Sequence, residues 1–160
     1  MNIIIQKFGG SSLATGKERE TACQQIIKAV QAGFRPVVVV SAMGRAGAAY
    51  ATDTLLDLPG DREQLSARQQ DLLASCGEVI SSVIIAGMLT ELDYAAQSLT
   101  GGQAGIITDD NFGASRIIAV KPERIVNLLE KDIIPVVAGY QGLSQAGEIT
   151  TLGRGGSDTT

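Results

Sequence analysis

The fold is decided by residues 3–40, which read IIIQKFGGSSLATGKERETACQQIIKAVQAGFRPVVVV. Two short runs of branched apolar residues, Ile3–Ile5 and Val37–Val40, enclose a segment with helical periodicity. Runs that are apolar on both faces are typical of strands buried in a parallel sheet. Thr15 and Glu18 have the spacing of a capping box, which marks the start of a helix. The stretch therefore predicts a strand, a helix and a second strand.

The same alternation of elements continues along the rest of the chain. A capping box at Ser66 and Gln69 predicts a second helix. Its predicted apolar stripe consists of Leu72, Cys76, Val79, Ile80 and Val83. A third helix is predicted to open with Pro122 at its first position, and a buried strand follows at residues 133–137. The sequence therefore predicts an α/β fold with an open, mostly parallel sheet between helices.

Composition and charge exclude several classes of function. The chain has 160 residues, a formal net charge of -4 and only 13 Lys plus Arg. It lacks the basic surface that phosphate backbones require, so no nucleic-acid partner is expected. The chain contains no histidine, which excludes a Ser/His/Asp triad and a histidine-ligated metal site. No metal ligands are predicted.

The amino terminus and the cysteines bear on the location of the protein. Met1 leads directly into an apolar strand, without the basic and long apolar regions of a signal peptide. The weakly charged stretch 72–90 carries Glu78 and several serines, so it is not predicted to span a membrane. Cys23 and Cys76 each fall in a predicted helical stripe and are expected to be reduced thiols in the core. We therefore expect a cytoplasmic, single-domain chain.

Ligands of open parallel sheets bind beyond the carboxyl ends of the strands. This rule selects four segments of the chain for attention. They are Lys7–Ser12, Ser41–Thr54, Thr100–Gly105 and Gly139–Asp158.

The first of these segments reads Lys-Phe-Gly-Gly-Ser-Ser. Gly9 and Gly10 allow the backbone to bend so that successive N–H groups point at an anion. Lys7 adds a compact positive charge at the tip of the strand. The segment predicts a phosphate site, and a plain glycine turn beside a solvated lysine is the alternative.

The last segment contains Gly-Arg-Gly-Gly-Ser-Asp at residues 153–158. Arg154 can bind a carboxylate or a phosphate through two parallel hydrogen bonds. Asp158 can orient a lysine or a metal-bound phosphate. A flexible linker, the alternative, would favour serine and would lack both charges.

Glu78 lies opposite the predicted apolar stripe of the second helix, where a solvated face is the usual explanation. The stretch 72–90 contains no other charge, however, and the neighbours of Glu78 on its face are Ser75, Ser81 and Ser82. A lone carboxylate among small hydroxyl groups favours a covered groove that faces a ligand. Such a carboxylate could bind an ammonium group.

Six segments together resemble the aspartate kinases, a family with the amino-acid kinase fold. They are 7–12, 37–44 (which ends in Ser-Ala-Met-Gly), 50–54, 75–78, 100–105 and 151–159. Each motif alone is weak, but six in register and in the right order from Ile3 to Thr160 are specific.

The resemblance implies a role for each matching residue. Lys7 would neutralise the transferring phosphoryl group, and Asp158 would organise the active-site lysines. The ATP phosphates would be held by Lys7, Phe8, Gly9, Gly10 and Ser11. Aspartate would be bound by Ser41, Thr52, Glu78 and Arg154. Glu78 would contact the ammonium group of aspartate, and Arg154 would contact a carboxylate.

The resemblance also implies an activity, a cofactor and partners. ATP with Mg²⁺, the metal being held mainly by the phosphates, would phosphorylate the side-chain carboxylate of L-aspartate. The product, 4-phospho-L-aspartate, begins the route to lysine, threonine and methionine. The attacking carboxylate is ionised at pH 7, so no general base is required. The full-length enzyme is expected to be a homo-oligomer.

Aspartate kinases extend beyond the part that resembles this chain. They continue through a nucleotide-binding lobe with a second active-site lysine and then through ACT regulatory domains. Residues 1–160 are therefore expected to be the aspartate-binding, amino-terminal part of the kinase domain and to be inactive alone. The alternatives are another amino-acid kinase, of the glutamate or acetylglutamate type, and a non-catalytic module that binds an amino acid or an anion.

Overall fold

The computed structural model describes residues 1–153 and 155–160. The strands are β1 (Ile3–Phe8), β2 (Arg35–Val40), β3 (Ala96–Leu99), β4 (Ile106–Thr108), β5 (Ile117–Val120), β6 (Ile134–Ala138), β7 (Gln141–Ser144) and β8 (Ile149–Thr151). The α-helices are α1 (Gly16–Gln31), α2 (Thr52–Asp57), α3 (Ala67–Glu91), α4 (Glu123–Glu130) and α5 (Gly156–Thr159). Short 3-10 helices cover Gly10–Leu13 and Arg62–Gln64.

The helix starts follow from local hydrogen bonds. At the start of α1, the Thr15 N–H donates to the Glu18 carboxylate (2.8 Å), and the Glu18 N–H donates to the Thr15 hydroxyl (3.4 Å). Ser66 and Gln69 form the same reciprocal capping box at the start of α3. Both predicted starts are confirmed. Helix α4 begins one residue later than predicted. Pro122, with a ψ of 4°, is the cap before the helix, and Glu123 is the first helical residue.

The larger sheet is fully parallel, with strand order β1-β2-β6-β3. The valines of β2 alternate between its two faces. Val38 and Val40 pack into a core cluster with α1 and α3 residues such as Ile26. Val37 and Val39 pack on the other face against α4. The prediction of an open, mostly parallel sheet between helices is confirmed.

A second, smaller sheet was not predicted from the sequence. Its strand order is β5-β4-β7-β8, and it mixes one parallel pair with two antiparallel pairs. Its strands are only three or four residues long, too short to show a clear period of two in the sequence. Helix α3 packs against β8 and also against β3 and β6, so it connects the two sheets.

The buried face of α3 differs from the predicted one. Leu72 and Val83, two members of the predicted apolar stripe, are 44% and 56% exposed, and Cys76 is also exposed. The buried face is made of small or polar residues together with a few apolar ones: Asp71, Ala74, Ser75, Gly77, Glu78, Ser81, Ser82, Ile85, Ala86 and Leu89. The expectation of a core thiol is therefore wrong for Cys76, whereas Cys23 is buried.

Small residues are buried because α3 approaches neighbouring backbone closely. A Cβ atom added at Gly77 would lie 2.7 Å from the Cβ of Ala42 and 2.8 Å from the carbonyl oxygen of Tyr50. A larger residue on this face would push α3 away from the segment that follows β2. Close contact with that segment outweighs the burial of more apolar area on the opposite face.

Helix α3 is long and apolar enough to cross a membrane by length and composition, with a mean hydropathy of 1.9 over its most apolar 18 residues. Half of that window is buried inside the protein. Its buried face carries two carboxylates, Asp71 and Glu78, and packs on strands of both sheets. This packing is that of a core helix.

Candidate active site

A cavity with a volume of about 450 Å³ opens at the carboxyl edge of the parallel sheet. The chain leaves β1, β2 and β6 side by side at this edge. The Ser41 N–H donates to the carbonyl of Phe8 (3.0 Å), and the Gly139 N–H donates to the carbonyl of Val40 (3.0 Å). The loops after three parallel strands therefore reach one cavity, as the rule for open sheets requires.

Lys7 and Asp158 form an ion pair at this cavity. The Nζ of Lys7 lies 2.7 Å from the Oδ1 of Asp158, and both residues line the cavity. Lys7 is the penultimate residue of β1, and Asp158 lies in the single turn of α5. The two residues that the sequence assigned to catalysis are thus adjacent in space.

The glycine loop after β1 packs closely against the loop after β2. The Gly44 N–H donates to the carbonyl of Gly10 (2.8 Å), and a Cβ atom at Gly10 would collide with the carbonyl oxygens of Gly44 and Ala42. Gly9 lies beside Lys7, whose Nζ would be 3.7 Å from a Cβ atom built there. Glycine at position 10 therefore allows the two loops to share one cavity wall.

Among the described residues that line the cavity, Glu78 is the most deeply buried charged group, with 2% of its surface exposed. Its Oε1 accepts a hydrogen bond from the backbone N–H of Ala42 (3.1 Å). Its Oε2 is buried and has no hydrogen-bond partner among the residues that the structure describes. Burial raises the pKa of Glu78 to about 7, although the Ala42 hydrogen bond lowers it. A buried oxygen without a partner is energetically costly unless a ligand supplies the donor.

Polar groups on the loop after β2 complete one side of the cavity. Ser41 and Thr52 line it, as do Arg45 and Asp53. Thr52 is the first residue of α2, and Asp53 follows in the same turn. The cavity wall thus offers hydroxyl groups between charges of both signs, an arrangement suited to a zwitterionic or multiply charged ligand.

Tyr140 faces the same cavity from the loop between β6 and β7. Burial raises the pKa of its phenol, and the nearby carboxylates Glu78, Asp71 and Asp53 raise it further. Because its pKa is raised, the phenol stays protonated and can donate or accept a hydrogen bond. The backbone φ of Tyr140, 66°, is in the left-handed region, which a non-glycine residue adopts only at a cost.

Some predicted site residues lie elsewhere. The Phe8 side chain packs against the core cluster and, like Ser11, lines a separate cavity beside α1. Gly9 is not one of the residues that line the site cavity. Arg154 lies outside the described residues. The segment 100–105 faces β7 instead of the cavity, because Gly101 and Gly102 pack against residues of that strand.

Sequence reasoning missed Gly113 and Asp71. Gly113 lines the cavity from a turn before β5, in a segment that carries none of the motifs singled out in the sequence. Asp71 precedes Leu72 on α3 and is 3% exposed. Its only sequence signal is a carboxylate one residue away from the stretch in which Glu78 was singled out.

The described residues contain no group of three or more Cys, Asp or Glu side chains that could hold a metal ion. The Lys7 ammonium and the backbone of Gly10 line the cavity and fit the phosphates of a polyanionic ligand.

The chain matches the amino acid kinase family over residues 2–160. It is 51% identical over 161 residues to Aspartokinase 1 of Bacillus subtilis (strain 168), and the match covers all of this chain and 40% of that protein. It is 45% identical to the aspartokinase of Geobacillus stearothermophilus, again over all of this chain and 38% of the relative. The chain thus spans about two fifths of the length of these relatives.

Solved structures of aspartate kinases share the fold. The aspartate kinase from Synechocystis is 39% identical with a TM-score of 0.75, covering 99% of this chain and 25% of that one. E. coli aspartokinase III in complex with lysine and aspartate is 25% identical with a TM-score of 0.79, covering 99% of this chain and 45% of that one. The same enzyme with aspartate and ADP is 23% identical with a TM-score of 0.81, at the same coverage.

Proposed function

Because the chain belongs to the amino acid kinase family, we propose that it forms the aspartate-binding part of an aspartate kinase. The observation that carries the proposal is the Glu78 carboxylate, which is buried at one wall of a cavity that also holds the Lys7 and Asp158 ion pair. This arrangement fits an amino acid that presents its ammonium group to Glu78 and a reactive carboxylate towards the phosphate site.

Glu78 fits the ammonium group of the substrate for a physical reason. Its Oε1 already accepts a hydrogen bond from the Ala42 N–H, whereas its Oε2 has no hydrogen-bond donor among the described residues. An ammonium group supplies both the missing donor and the opposite charge, so it favours the ionised form of Glu78. The aspartokinase III structures were solved with aspartate bound, which supports this assignment of the ligand.

Ser41, Thr52 and Arg154 complete the proposed aspartate site. Ser41 and Thr52 line the cavity and can hydrogen-bond a carboxylate. Arg154 is assigned to a substrate carboxylate from the sequence motif alone. Binding at these points would fix the free side-chain carboxylate of aspartate in one orientation, which is the main contribution a protein makes to such a transfer.

We assign the phosphate end of the site to Lys7, Asp158 and the backbone of Gly9 and Gly10. ATP, accompanied by Mg²⁺, supplies the phosphoryl group when it is bound. A bond forms between the aspartate side-chain oxygen and the γ-phosphorus while the bond from that phosphorus to the ADP oxygen breaks. Lys7 neutralises charge that develops on the transferring oxygens, and Asp158 holds the lysine in place. Phe8, the last residue of β1, and Ser11, in the 3-10 helix that follows, remain predicted contributors to the phosphate site.

Location and assembly extend the proposal beyond the site. The thiols of Cys23 and Cys76 are both free, which agrees with a reducing compartment, and we propose the cytoplasm. Self-association of the whole protein remains a prediction. It also remains a prediction that the whole protein has a nucleotide-binding lobe and regulatory domains outside these 160 residues.

The test joins this chain to the rest of a relative. In a protein that we call the completed kinase, this chain replaces the matched 161 residues of Bacillus subtilis Aspartokinase 1. We expect the completed kinase to form ADP in a reaction that depends on L-aspartate and not on L-glutamate or acetylglutamate. We expect the 160-residue chain alone to show no such activity.

Two results would contradict the proposal. Preference of the completed kinase for glutamate or acetylglutamate would favour another amino-acid kinase. A completed kinase that binds aspartate but forms no ADP would favour a binding module without turnover.

A further inference from the structure

Asp71 is a buried carboxylate that holds two segments of the cavity wall together. Both of its oxygens accept from the Gly113 N–H, at 2.9 Å and 3.0 Å. Its Oδ2 accepts from the Thr151 N–H at 2.8 Å, and its Oδ1 accepts from the Thr151 hydroxyl at 2.7 Å. One side chain on α3 therefore binds the turn before β5 and the last residue of β8.

The charge of Asp71 is balanced by dipoles. It belongs to none of the ion pairs found among the described residues. Burying a carboxylate without a cation is costly, and N–H and O–H donors offset that cost only while they stay aimed at it. Asp71 therefore requires Gly113 and Thr151 to keep fixed positions, and the two segments cannot shift independently.

Both segments reach the proposed substrate site. Gly113 lines the cavity, and so does Gly153, which follows Thr151 by two residues. The carbonyl of Thr151 accepts from the Ser115 N–H (2.9 Å) and from the Ser115 hydroxyl (2.8 Å). Hydrogen bonds therefore join the turn and β8 directly as well as through Asp71. The backbone that leads from β8 into the glycine segment is thereby fixed at Thr151.

Asp71 and Glu78 share one helix face. They are seven residues apart, close to two helical turns, and both are buried. Helix α3 thus carries the carboxylate assigned to the substrate ammonium and, two turns earlier, the carboxylate that binds Gly113 and Thr151. One helix therefore relates the position of Glu78 to the segments that Asp71 binds.

We propose that Asp71 is a positioning residue for the amino-acid substrate: it fixes the Gly113 turn and the exit of β8 relative to Glu78, and so sets the fit of aspartate without touching it. This inference rests on the proposed function. It predicts an effect on aspartate affinity that is separate from any effect on phosphoryl transfer.

The first test is Asp71→Asn in the completed kinase, with Glu91→Gln, an exposed carboxylate on the same helix, as the control. In Asp71→Asn, the side-chain NH₂ of the asparagine replaces one carboxylate oxygen. That NH₂ group would face hydrogen-bond donors and could not accept from them. We expect the KM for aspartate to rise at least about fivefold, as loss of hydrogen bonds to a charged acceptor implies, with the KM for ATP and kcat within twofold. The control should change none of the three.

Substitutions at Thr151 test the same contact in case the Asp71→Asn protein does not fold. Thr151→Val removes the hydroxyl donor and keeps the N–H and the shape of the side chain, so it should raise the KM for aspartate by a smaller factor. Thr151→Ser keeps the donor and should restore the parent value. In the 160-residue chain, Asp71→Asn should also speed amide hydrogen exchange at Gly113 and Thr151 more than at residues of β2.

The outcomes distinguish the proposed function from the role of Asp71. A parent completed kinase without aspartate-dependent activity overturns the proposed function and with it this role of Asp71. An active parent in which Thr151→Val and any folded Asp71→Asn protein keep the parent KM for aspartate overturns the role of Asp71 alone. Lower thermal stability at an unchanged KM would show that Asp71 serves the fold only.

Discussion

The side chains of Lys7 and Asp158 meet at 2.7 Å in the lining of the cavity, although they come from β1 and α5, at residues 7 and 158. The pair is solvent-accessible, with 36% of the lysine side chain and 68% of the aspartate side chain exposed. Exposed ion pairs contribute little to stability. The pair is therefore better explained as a device that holds a positive charge at a defined place than as a support of the fold.

Substitution of that positive charge tests its role in catalysis. In the completed kinase, Lys7→Met should lower kcat by roughly 10²-fold, the usual loss when a charge-stabilising donor is removed from a transition state. The KM for aspartate should change much less, because Glu78 and the loop after β2 bind the substrate in this proposal. Steady-state kinetics in both substrates measure the two effects.

Lys17→Met is the matched control, because Lys17 is an exposed lysine in the first turn of α1. It should leave both constants unchanged. If Lys7→Met kept the kcat of the parent, Lys7 would have no part in the transfer step.

The charge of Glu78 should be required for aspartate binding. Glu78→Gln keeps the size of the side chain and an oxygen for the Ala42 N–H, but it loses the charge that faces the ammonium group. In the completed kinase we expect aspartate binding to weaken by about 1.5–3 kcal/mol, the range for hydrogen bonds to charged groups. The KM for aspartate measures this loss.

Glu130→Gln on the surface helix α4 serves as the control for this substitution. A Glu78→Gln enzyme with a KM for aspartate within twofold of the parent value would mean that another group binds the ammonium.

The same residue should make the free energy of unfolding depend on pH. Burial raises the pKa of Glu78 from 4.5 to about 7 in the folded chain. Between these values the folded state binds more protons than the unfolded state, so stability falls as pH rises from about 4.5 to about 7 and is then level. The full difference is on the order of 3 kcal/mol.

Urea unfolding of the 160-residue chain at pH 5 and pH 8, with and without Glu78→Gln, measures this dependence. The variant should lose this part of the pH dependence and gain stability over the parent at pH 8. An equal pH dependence in the two proteins would show that Glu78 titrates near its ordinary value.

Two glycines of α3 offer a matched test of close packing. In an exposed helix position, Gly→Ala stabilises by about 1 kcal/mol. Gly87 has no neighbouring atom within 4 Å of an added Cβ, so Gly87→Ala should show that gain. Gly77→Ala would press on Ala42 and Tyr50 and should lose stability instead. Thermal or urea unfolding of the 160-residue chain compares the two.

The Gly77→Ala protein should also lose the hydrogen bond between Ala42 and Glu78, because the clash moves the loop after β2 away from the helix. Equal stabilisation by both substitutions would show that α3 and this loop are not in close contact.

Predictions from the sequence succeed where a residue's environment is local. The capping box at Thr15 depends on four consecutive residues, and the valines of β2 are apolar on both faces regardless of what covers them. Both follow from pattern alone. The cavity could be predicted in outline for a similar reason, since the carboxyl ends of parallel strands must lie together.

Predictions fail where distant segments decide the outcome. The predicted burial of Leu72 and Val83 followed hydrophobicity, but the small residues of the other face allow α3 to approach the loop after β2. Hydrophobic periodicity carries no information on how close two backbones come. Asp71 was missed for the same reason, because its donors, Gly113 and Thr151, lie 42 and 80 positions away.

The ion pair between residues 7 and 158 also has a consequence for the order in which the protein matures. During synthesis the glycine loop after β1 leaves the ribosome roughly 150 residues before its partner, and closing so long a loop carries an entropic cost that local contacts do not. The helices α1 and α3 can form earlier, from their own capping boxes. The cavity is therefore completed only after residue 158 has been synthesised, and binding requires that these two segments, far apart in the sequence, have met.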